Sequence, residues 1–516
     1  MSETIWDANV RPARRIGEGT WQLIAASLSL LFGLFCIRWA PLLAFEAAAA
    51  LALLALCIAR PFTGLLAALA LTLGLDQIGI STNGPIELDP FTEKTHFFVN
   101  LNSVARLPGF YLNFMEVMLV TCWLSWSVRR LKAGTLQWRG GALALPLAIL
   151  GLALVAAVMR GVATGGLWKI ALWSTRGLFQ LIIVYLLAAH MMESRSQVRA
   201  LFWTIIGALI FRALMALYHL GVIFKFSLES VDSVTTHEEG IFFASMLLFW
   251  MVLQIYRAEP AQRRTLAVLL PLFVIAFIAA KRRAAMVALI CAIPYLLMIV
   301  DWRRARRLLM AGFLALPLLL VYTVAFWNST STVALPVALV RSLFVAGQVG
   351  RMETSNLYRL VENEILTSRI RQSPLTGLGF GHVFVYGRRT IVDESGKTMA
   401  TDLAVSTFPL AHYIAHNQIL WLWAMGGLLL FGAFWFFVTF AVAHGTRLVR
   451  TLQTPYFKAV ALLVTLLVCM QMLVSYGDQQ LTEYRTMVYL GLLLGTMVRL
   501  PAIERQEALQ GGSASK

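Results

Sequence analysis

Stretches of about twenty apolar residues recur along almost the whole chain, and this recurrence limits the folds that it can adopt. A helix needs roughly 20 mostly apolar residues to cross the hydrocarbon core of a bilayer. The sequence therefore predicts an all-α polytopic membrane protein with twelve to fourteen transmembrane helices. The candidate windows lie near residues 21–37, 42–59, 62–80, 110–128, 142–159, 168–190, 200–223, 240–256, 266–280, 284–300, 308–326, 418–443, 457–475 and 484–498.

Composition excludes several other classes of protein. Of the 516 residues, 59% are hydrophobic and 13% are charged, whereas about a quarter of a soluble domain is charged. An ordinary soluble enzyme and a disordered chain are both excluded. The five cysteines are scattered through apolar stretches without the spacing of a metal site. We therefore expect no metal and no other cofactor.

The net charge of +17 follows a topological pattern. Short cytoplasmic loops of membrane proteins are enriched in lysine and arginine. Alternate connections carry clusters of basic residues, which predicts that both termini are cytoplasmic. The pattern favours contact with bilayer lipids and no nucleic-acid partner. These residues are Arg129, Arg130, Lys132, Arg139, Arg257, Arg263, Arg264, Arg303, Arg304, Arg306, Arg307, Arg447, Arg450 and Lys458.

The hydropathy pattern also divides the chain into segments. The longest connection has helical spacing over residues 353–372, where one side would carry Leu357, Leu360, Val361, Glu364, Ile365 and Ser368. This spacing predicts an amphipathic helix lying over the membrane. The predicted segments are N-terminal transmembrane helices (1–165), central transmembrane helices with an arginine-rich outer connection (166–326), a large periplasmic loop (327–415), C-terminal transmembrane helices (416–500) and a disordered cytoplasmic tail (501–516).

Charged residues inside apolar windows are candidates for function, because burying a charge in hydrocarbon is costly. Lys169 and Arg176 are seven residues apart and share a helix face. Arg212 lies in the next window. These cations could line a functional cavity. Alternatively, they could form structural ion pairs with Glu46, Asp76 or Glu116, or extend towards an interface.

Three consecutive cations form the short connection before residue 284. Lys281, Arg282 and Arg283 lie on the predicted outer side, against the usual charge bias of membrane proteins. Guanidinium groups bind phosphate oxygens in pairs, which favours an anion-binding site. The alternative is that one helix is miscounted and that this connection is cytoplasmic.

A second polar cluster begins the apolar window at 418–443. If Pro409 occupied the first helical turn, His412 and His416 would lie one turn apart, with Asn417 beside the second. The positive end of a helix dipole favours a neutral imidazole, which can accept a proton from a hydroxyl. An interfacial histidine with a satisfied hydrogen bond is the alternative.

Three motifs in order resemble those of the O-antigen ligase and polymerase superfamily. The first is His416 and Asn417, followed after nine residues by Gly427. The segment AAKRRAAMVAL resembles the family's Ser-Arg-Gly-Ala element, with Arg282 or Arg283 as its arginine. The third motif, Pro-Leu-Thr-Gly-x-Gly-x-Gly, follows the amphipathic segment as Pro374, Leu375, Thr376, Gly377, Gly379 and Gly381.

The resemblance implies a C-type membrane glycosyltransferase bundle with one large periplasmic loop, in the bacterial inner membrane. The implied donor is a glycan on undecaprenyl diphosphate, and transfer to an acceptor hydroxyl takes place on the periplasmic face. His416 is then the candidate base, and Asn417 would orient the imidazole or the acceptor. The diphosphate would be bound by Arg282, Arg283, Arg212, Arg176 and Lys281.

Other residues are given supporting roles. Gly377, Gly379 and Gly381 could let the backbone pass close to a ligand or could simply form a turn. His412 is a further positioning candidate.

Three functions are compatible with these patterns. A ligase would transfer a finished glycan onto lipid A core. A polymerase would instead extend a growing glycan on the carrier, and a protein O-oligosaccharyltransferase would differ only in its acceptor. A transporter or flippase would use the buried arginines to bind an anionic lipid in transit, but inverted repeats are missing from the sequence. We favour the ligase.

Overall fold

The computed structural model describes most of the chain. The described ranges are 41–75, 97–100, 111–226, 238–329, 350–385 and 412–513, together with residues 27, 79–80, 87–88, 101, 103, 234–236, 334, 336–337, 341, 389–392 and 398–401.

Helices dominate these ranges. In chain order they are α1 (Pro41–Ala59), α2 (Pro61–Gly74), α3 (Phe114–Lys132), α4 (Ala144–Ala163), α5 (Trp168–Met191), α6 (Arg195–Tyr218), α7 (Glu239–Tyr256), α8 (Pro260–Ala279), α9 (Arg283–Ile299), α10 (Trp302–Ala325), α11 (Gly350–Gln372), α12 (Gln418–Thr451), α13 (Pro455–Ser475) and α14 (Tyr484–Ser513). A π-helical turn, His219–Ile223, follows α6. The strands are short and form two antiparallel pairs, β1 (Gly79–Ile80) with β2 (Glu87–Leu88) and β3 (Arg389–Val392) with β4 (Thr398–Thr401).

The helices confirm the predicted fold class. In the described part of the chain, eight helices are long and apolar enough to cross a membrane, and four shorter helices are also apolar. The protein is therefore an all-α, multi-pass membrane protein. The predicted window at 21–37 lies outside the described residues except for residue 27.

The central helices pack closely because glycines on their contact surface have no side chain to hold the backbones apart. A Cβ at Gly491 of α14 would lie 2.6 Å from the carbonyl oxygen of Leu181 in α5. A Cβ at Gly495 would lie 2.5 Å from the carbonyl oxygen of Tyr185. The backbones of α5 and α14 consequently run in direct contact, and α13 is buried along most of its length.

Several helices begin at one end of the bundle. Arg485 at the start of α14 contacts Glu239 at the start of α7, and Gly240 packs on Arg282 just before α9. Gln418, the first residue of α12, donates a hydrogen bond of 2.8 Å to Thr482. The opposite ends of these helices carry most of the basic residues that the charge pattern assigned to the cytoplasm, because α7, α9 and α12 end beside Arg257, Arg303 and Arg450.

Residues 501–513 are helical, within the segment 501–516 for which a disordered tail was predicted. Helix α14 continues through Pro501 to Ser513. The carboxylate of Glu504 accepts hydrogen bonds from the backbone N–H groups of Gln453 and Thr454, at 3.0 and 2.6 Å. These are orphan donors at the start of α13. Their capture by Glu504 fixes the end of α14 against the bundle.

The amphipathic helix is present, but its buried face differs from the predicted one. Leu360 is 65% exposed and Glu364 is also exposed. The buried positions are Val361, Glu362, Ile365, Leu366 and Ile370. This face packs against α12, which explains why a carboxylate can lie inside the apolar stripe.

Candidate functional site

Helix α11 places a carboxylate beside the predicted base. Glu362 is fully buried, and one of its oxygens lies 3.3 Å from Nδ1 of His416. Its other oxygen accepts a hydrogen bond of 2.8 Å from the backbone N–H of His416. A carboxylate bound to one ring nitrogen fixes the orientation of an imidazole. His416 itself is partly exposed, so its ring is held on one side and accessible on the other.

Tyr358, one helical turn before Glu362, packs edge-on against the His416 ring with a centroid distance of 5.5 Å. Burial, with a smaller contribution from Glu362, raises the pKa of Tyr358 to about 12. The phenol is therefore neutral at physiological pH. It restricts the imidazole without adding a charge.

Asn417 connects α11 to the beginning of α12. Its side-chain oxygen accepts a hydrogen bond of 3.1 Å from the backbone N–H of Leu420, as an N-cap residue does. Its amide nitrogen donates to Asn363 of α11 at 2.9 Å. Both contacts, together with its burial, fix the position of Asn417 next to His416.

His412 and His416 do not lie on one helical turn, because α12 begins only at Gln418. Asn417 is the N-cap residue of α12, so the helix does not extend back to His416 or His412. The carbonyl oxygen of His412 accepts a hydrogen bond of 3.0 Å from the backbone N–H of Phe384. Pro409, the predicted first-turn residue, lies outside the described residues.

The cationic connection interacts electrostatically with the same helix α11. The guanidinium groups of Arg283 and Arg359 interact electrostatically, and Arg359 is three residues before Glu362. Two like charges held near each other favour an anion between or beside them. Helix α11 therefore brings Arg283 and His416, predicted from separate motifs, to one end of the bundle.

The other two cations of this connection shape the turn. Arg282 precedes the first residue of α9 and packs on Gly240, where a Cβ would lie 3.1 Å from Cβ of Arg282. Lys281 has a φ of 53°, a backbone conformation that is uncommon for a non-glycine residue. The tight turn here packs Arg282 against α7, and Arg283 begins α9.

The glycine-rich segment fits against other backbone. Gly377, Gly379 and Gly381 have φ values of 66°, 91° and 92°, which glycine adopts without strain. A Cβ at Gly379 would lie 2.3 Å from Cα of Gly161 in α4. A Cβ at Gly381 would lie 2.6 Å from the carbonyl oxygen of Leu167. Of the two roles considered for these glycines, close packing of the turn is the one that these contacts support.

Gly427, the last residue of the histidine motif, interrupts α12. Its φ is 65° and its ψ is −169°, so the helical hydrogen bonds break at this point. The backbone N–H of Gly379 donates to the carbonyl oxygen of Met425 at 2.8 Å, and that of Leu428 donates to Pro374 at 2.9 Å. The glycine-rich segment thus satisfies the groups that the kink leaves open.

Arg212 lies in a buried ion cluster. Its side chain and that of Glu239 are fully buried and form an ion pair. Arg485, also fully buried, lies 3.4 Å from the same carboxylate. Arg212 and Arg485 also donate hydrogen bonds to carbonyl oxygens in the last turn of α2, which ends at Gly74. An ion pair, the alternative considered for Arg212, is therefore present, but its partner Glu239 was not among the three acidic residues considered.

Arg176 also has a structural partner. Its Nε donates a hydrogen bond of 2.6 Å to Glu116, and Nη1 donates to Asn100 at 3.1 Å. This pair lies on α3 and α5, whereas His416 contacts α11 and Arg283 begins α9. The ion pair with Glu116, one of the alternatives for this cation, is confirmed.

Sequence reasoning missed Glu362, Arg359 and Tyr358. The signal in the sequence was that the carboxylate of Glu362 lies beside Val361 and one helical turn from Ile365 and Leu366. These three apolar residues are buried in the structure. A charge inside the apolar stripe of an amphipathic helix requires a partner. The predicted face contains Leu360 and Glu364 but not Glu362.

Comparison with known proteins agrees with the motifs. Residues 266–436, about a third of the chain, match the family model described as O-antigen ligase. The matched range contains Arg282, Arg283, Glu362, His416 and Gly427. A comparison with curated proteins gives no match. The family match supports an O-antigen ligase-like or polymerase-like function, and it confirms over residues 266–436 the resemblance to the O-antigen ligase and polymerase superfamily.

Proposed function

We propose that the protein is an inner-membrane glycosyltransferase that transfers a glycan from undecaprenyl diphosphate to a hydroxyl of lipid A core. The observation that carries this proposal is that α11 contacts the oriented imidazole of His416 and also bears an arginine that interacts with the cationic connection. Glu362 on α11 contacts His416, and Arg359 on the same helix interacts electrostatically with Arg283.

The histidine would act as general base. If Nδ1–H donates to Glu362, the lone pair of Nε2 is available for the proton of the acceptor hydroxyl. The acceptor oxygen then forms a bond to the anomeric carbon while the bond from that carbon to the diphosphate oxygen breaks. The proton stays on His416, and the electron pair of the broken bond leaves with the diphosphate.

The arginines would stabilise the leaving group. Negative charge accumulates on the carrier diphosphate as the glycosidic bond breaks, and donors that are already oriented stabilise it more than mobile water does. Arg283 and Arg359 supply two positive charges at one end of the bundle. Arg282 and Lys281, which form the adjoining turn, add further positive charge.

A periplasmic location for this site is supported by the distribution of charge along the helices. The site lies where α9 and α12 begin, whereas Arg303 and Arg450 lie where these helices end. Loops rich in arginine are retained in the cytoplasm. Both termini would accordingly be cytoplasmic.

Reconstitution tests the reaction and separates the ligase from its alternatives. Purified protein in proteoliposomes receives a glycan on undecaprenyl diphosphate and lipid A core. We expect the glycan on lipid A core. Longer glycans on the carrier would instead assign a polymerase, and movement of the donor across the bilayer without transfer would assign a transporter.

His416→Ala tests the base in the same assay. Loss of a general base lowers rates by about 100-fold or more, and we expect transfer to fall by at least that factor while the amount of protein in the membrane is unchanged. Wild-type transfer by this variant would rule out the assigned base.

Accessibility labelling tests the placement of the site. Arg283→Cys and His416→Cys, each in a chain whose native cysteines are replaced by serine, should react with a membrane-impermeant maleimide from the periplasmic side. Labelling of the two positions from opposite sides of the membrane would rule out a shared site.

A further inference from the structure

A groove of about 670 Å³ lies on the outside of α5, separate from the residues around His416. Helices α3 and α5 and the described residues Asn100 and Tyr111 form its walls. Its apolar surface includes Leu172, Trp173 and Ile183, which are 47%, 43% and 47% exposed. Because α5 is long and apolar enough to span a membrane, this side of the groove faces the acyl chains.

One end of the groove carries an aromatic and cationic cluster. The ammonium group of Lys169 lies 5.5 Å from the ring centroid of Tyr111 and 5.9 Å from that of Trp168. Tryptophan and tyrosine are enriched at the depth of lipid headgroups. This end adjoins the glycine-rich segment, since the backbone N–H of Leu167 donates to Gly381 at 3.0 Å.

The charge of the lining selects among anionic ligands. The described lining has two cations, Lys169 and Arg176, and one carboxylate, Glu116. The carboxylate neutralises Arg176 through a direct ion pair, so Lys169 provides the remaining charge. One positive charge balances a phosphodiester monoanion, whereas a diphosphate would keep negative charge without a partner beside an apolar surface, which is costly.

A side-chain amide in the wall of the groove favours a ligand that carries a hydrogen-bond donor. Gln180 is 3% exposed and donates through Nε2 to Glu116 at 2.6 Å. Within the described ranges, its Oε1 has no hydrogen-bond partner. The neighbouring carboxylate fixes which end of the amide is the nitrogen. An acceptor oxygen in a groove wall is complementary to a ligand hydroxyl.

We propose that this groove binds one glycerophospholipid that has a monoanionic phosphodiester and a hydroxylated headgroup. Lys169 pairs with the phosphate between two aromatic rings, the headgroup hydroxyls face the polar wall at Gln180, and the acyl chains follow Leu172 and Ile183. The lipid occupies the end of the bundle beside the glycine-rich segment, where it supports α5 against the candidate site.

Native mass spectrometry of the full-length protein in detergent measures this binding. Phosphatidylglycerol is the probe, and phosphatidylcholine is its zwitterionic control. We expect Lys169→Gln to weaken phosphatidylglycerol binding roughly fivefold, the effect of about one interfacial charge, and to leave the weaker phosphatidylcholine binding unchanged. Lys132→Gln, which removes an exposed lysine at the end of α3, is the matched control and should bind as wild type does.

Three results would overturn the proposal. The first is equal affinity of phosphatidylglycerol for Lys169→Gln and for the wild type. The second is equal affinity of phosphatidylcholine and phosphatidylglycerol for the wild type. A prenyl diphosphate that displaced phosphatidylglycerol at equal concentration would assign the groove to a diphosphate lipid. Arg176 is unsuitable for substitution here, because its removal would leave the carboxylate of Glu116 without its ion pair.

Discussion

Glu362 and His416 illustrate how a single buried contact decides the chemistry available to a side chain. The imidazole has two nitrogens, and the carboxylate of Glu362 contacts one of them at 3.3 Å. The other nitrogen is then oriented away from α11. Since the same carboxylate also binds the backbone N–H of His416, ring and backbone are positioned together.

Replacing the carboxylate of Glu362 should change the orientation of His416 while leaving the binding of the donor nearly unchanged. In the proposed reaction, we expect Glu362→Gln to lower kcat by about 10-fold to 100-fold, as loss of a partner that orients a functional imidazole does, with the KM for the donor changed less than twofold. Glu362→Asp should recover part of this loss. The imidazole 15N chemical shifts of His416 should show one tautomer in the wild type and a mixture in Glu362→Gln. An unchanged tautomer ratio would contradict the orienting role.

The arginines should affect the donor more than the acceptor. We expect Arg283→Gln to lower kcat/KM for the lipid-linked donor at least 10-fold, because a charge-assisted contact to the diphosphate is lost. The control is Arg264→Gln, which removes an exposed arginine near the start of α8 and should retain wild-type kinetics. Equal kinetics for both variants would exclude Arg283 from the diphosphate site.

At the scale of elements, the site depends on how three segments of backbone fit together. The kink of α12 at Gly427, the glycine-rich segment and α4 meet with no side chain between them. The hydrogen bonds from Leu378 to Ala424 and from Gly379 to Met425 are 2.9 and 2.8 Å long. This contact fixes the position of α12 relative to α11, and therefore of His416 relative to Glu362.

Adding a methyl group to this contact should displace the segments. Gly379→Ala forces a side chain into a left-handed conformation and places a Cβ 2.3 Å from Gly161. Gly134→Ala is the matched control, because its φ of 63° is also left-handed while no atom lies within 4 Å of the added Cβ. We expect the control to lower Tm slightly, by the conformational strain of about 1 kcal/mol, and Gly379→Ala to lower it several times further. Equal Tm values for the two variants would show that the contact tolerates the added methyl group.

At the scale of the whole molecule, a buried ion cluster joins the two halves of the chain. Glu239 of α7 contacts Arg212 of α6 and Arg485 of α14, and both arginines also bind the end of α2. A buried charge is tolerated only with compensating partners. The cluster therefore connects four helices at the end of the bundle where the candidate site lies.

Removal of the central carboxylate should destabilise the bundle. Glu239→Gln would leave two buried guanidinium groups near each other without their shared anion, and breaking a buried ion pair typically costs about 3–5 kcal/mol. We expect a lower Tm in detergent and reduced abundance in the membrane. Arg304→Gln removes one partner of the exposed ion pair with Asp301 and should leave both quantities close to wild type. A wild-type Tm for Glu239→Gln would contradict the structural role of the cluster.

Hydropathy and motif order determined much of this protein directly. The apolar windows predicted the helices, and both the membrane fold and the family resemblance are confirmed. These features are encoded locally, because the length of an apolar run decides whether a helix can span a bilayer. The assignments of His416, Arg282 and Arg283 to the site remain predictions, now with defined neighbours.

Only the tertiary structure decided how the charged residues are paired. Arg212 and Arg176 resembled Arg283 in sequence, yet Glu239 and Glu116 neutralise the first two. Glu362 was not part of the predicted apolar face, and the packing of α11 on α12 defines the face on which it is buried. The side of a helix that meets another helix depends on residues far away in the chain, and so does the partner of every buried charge.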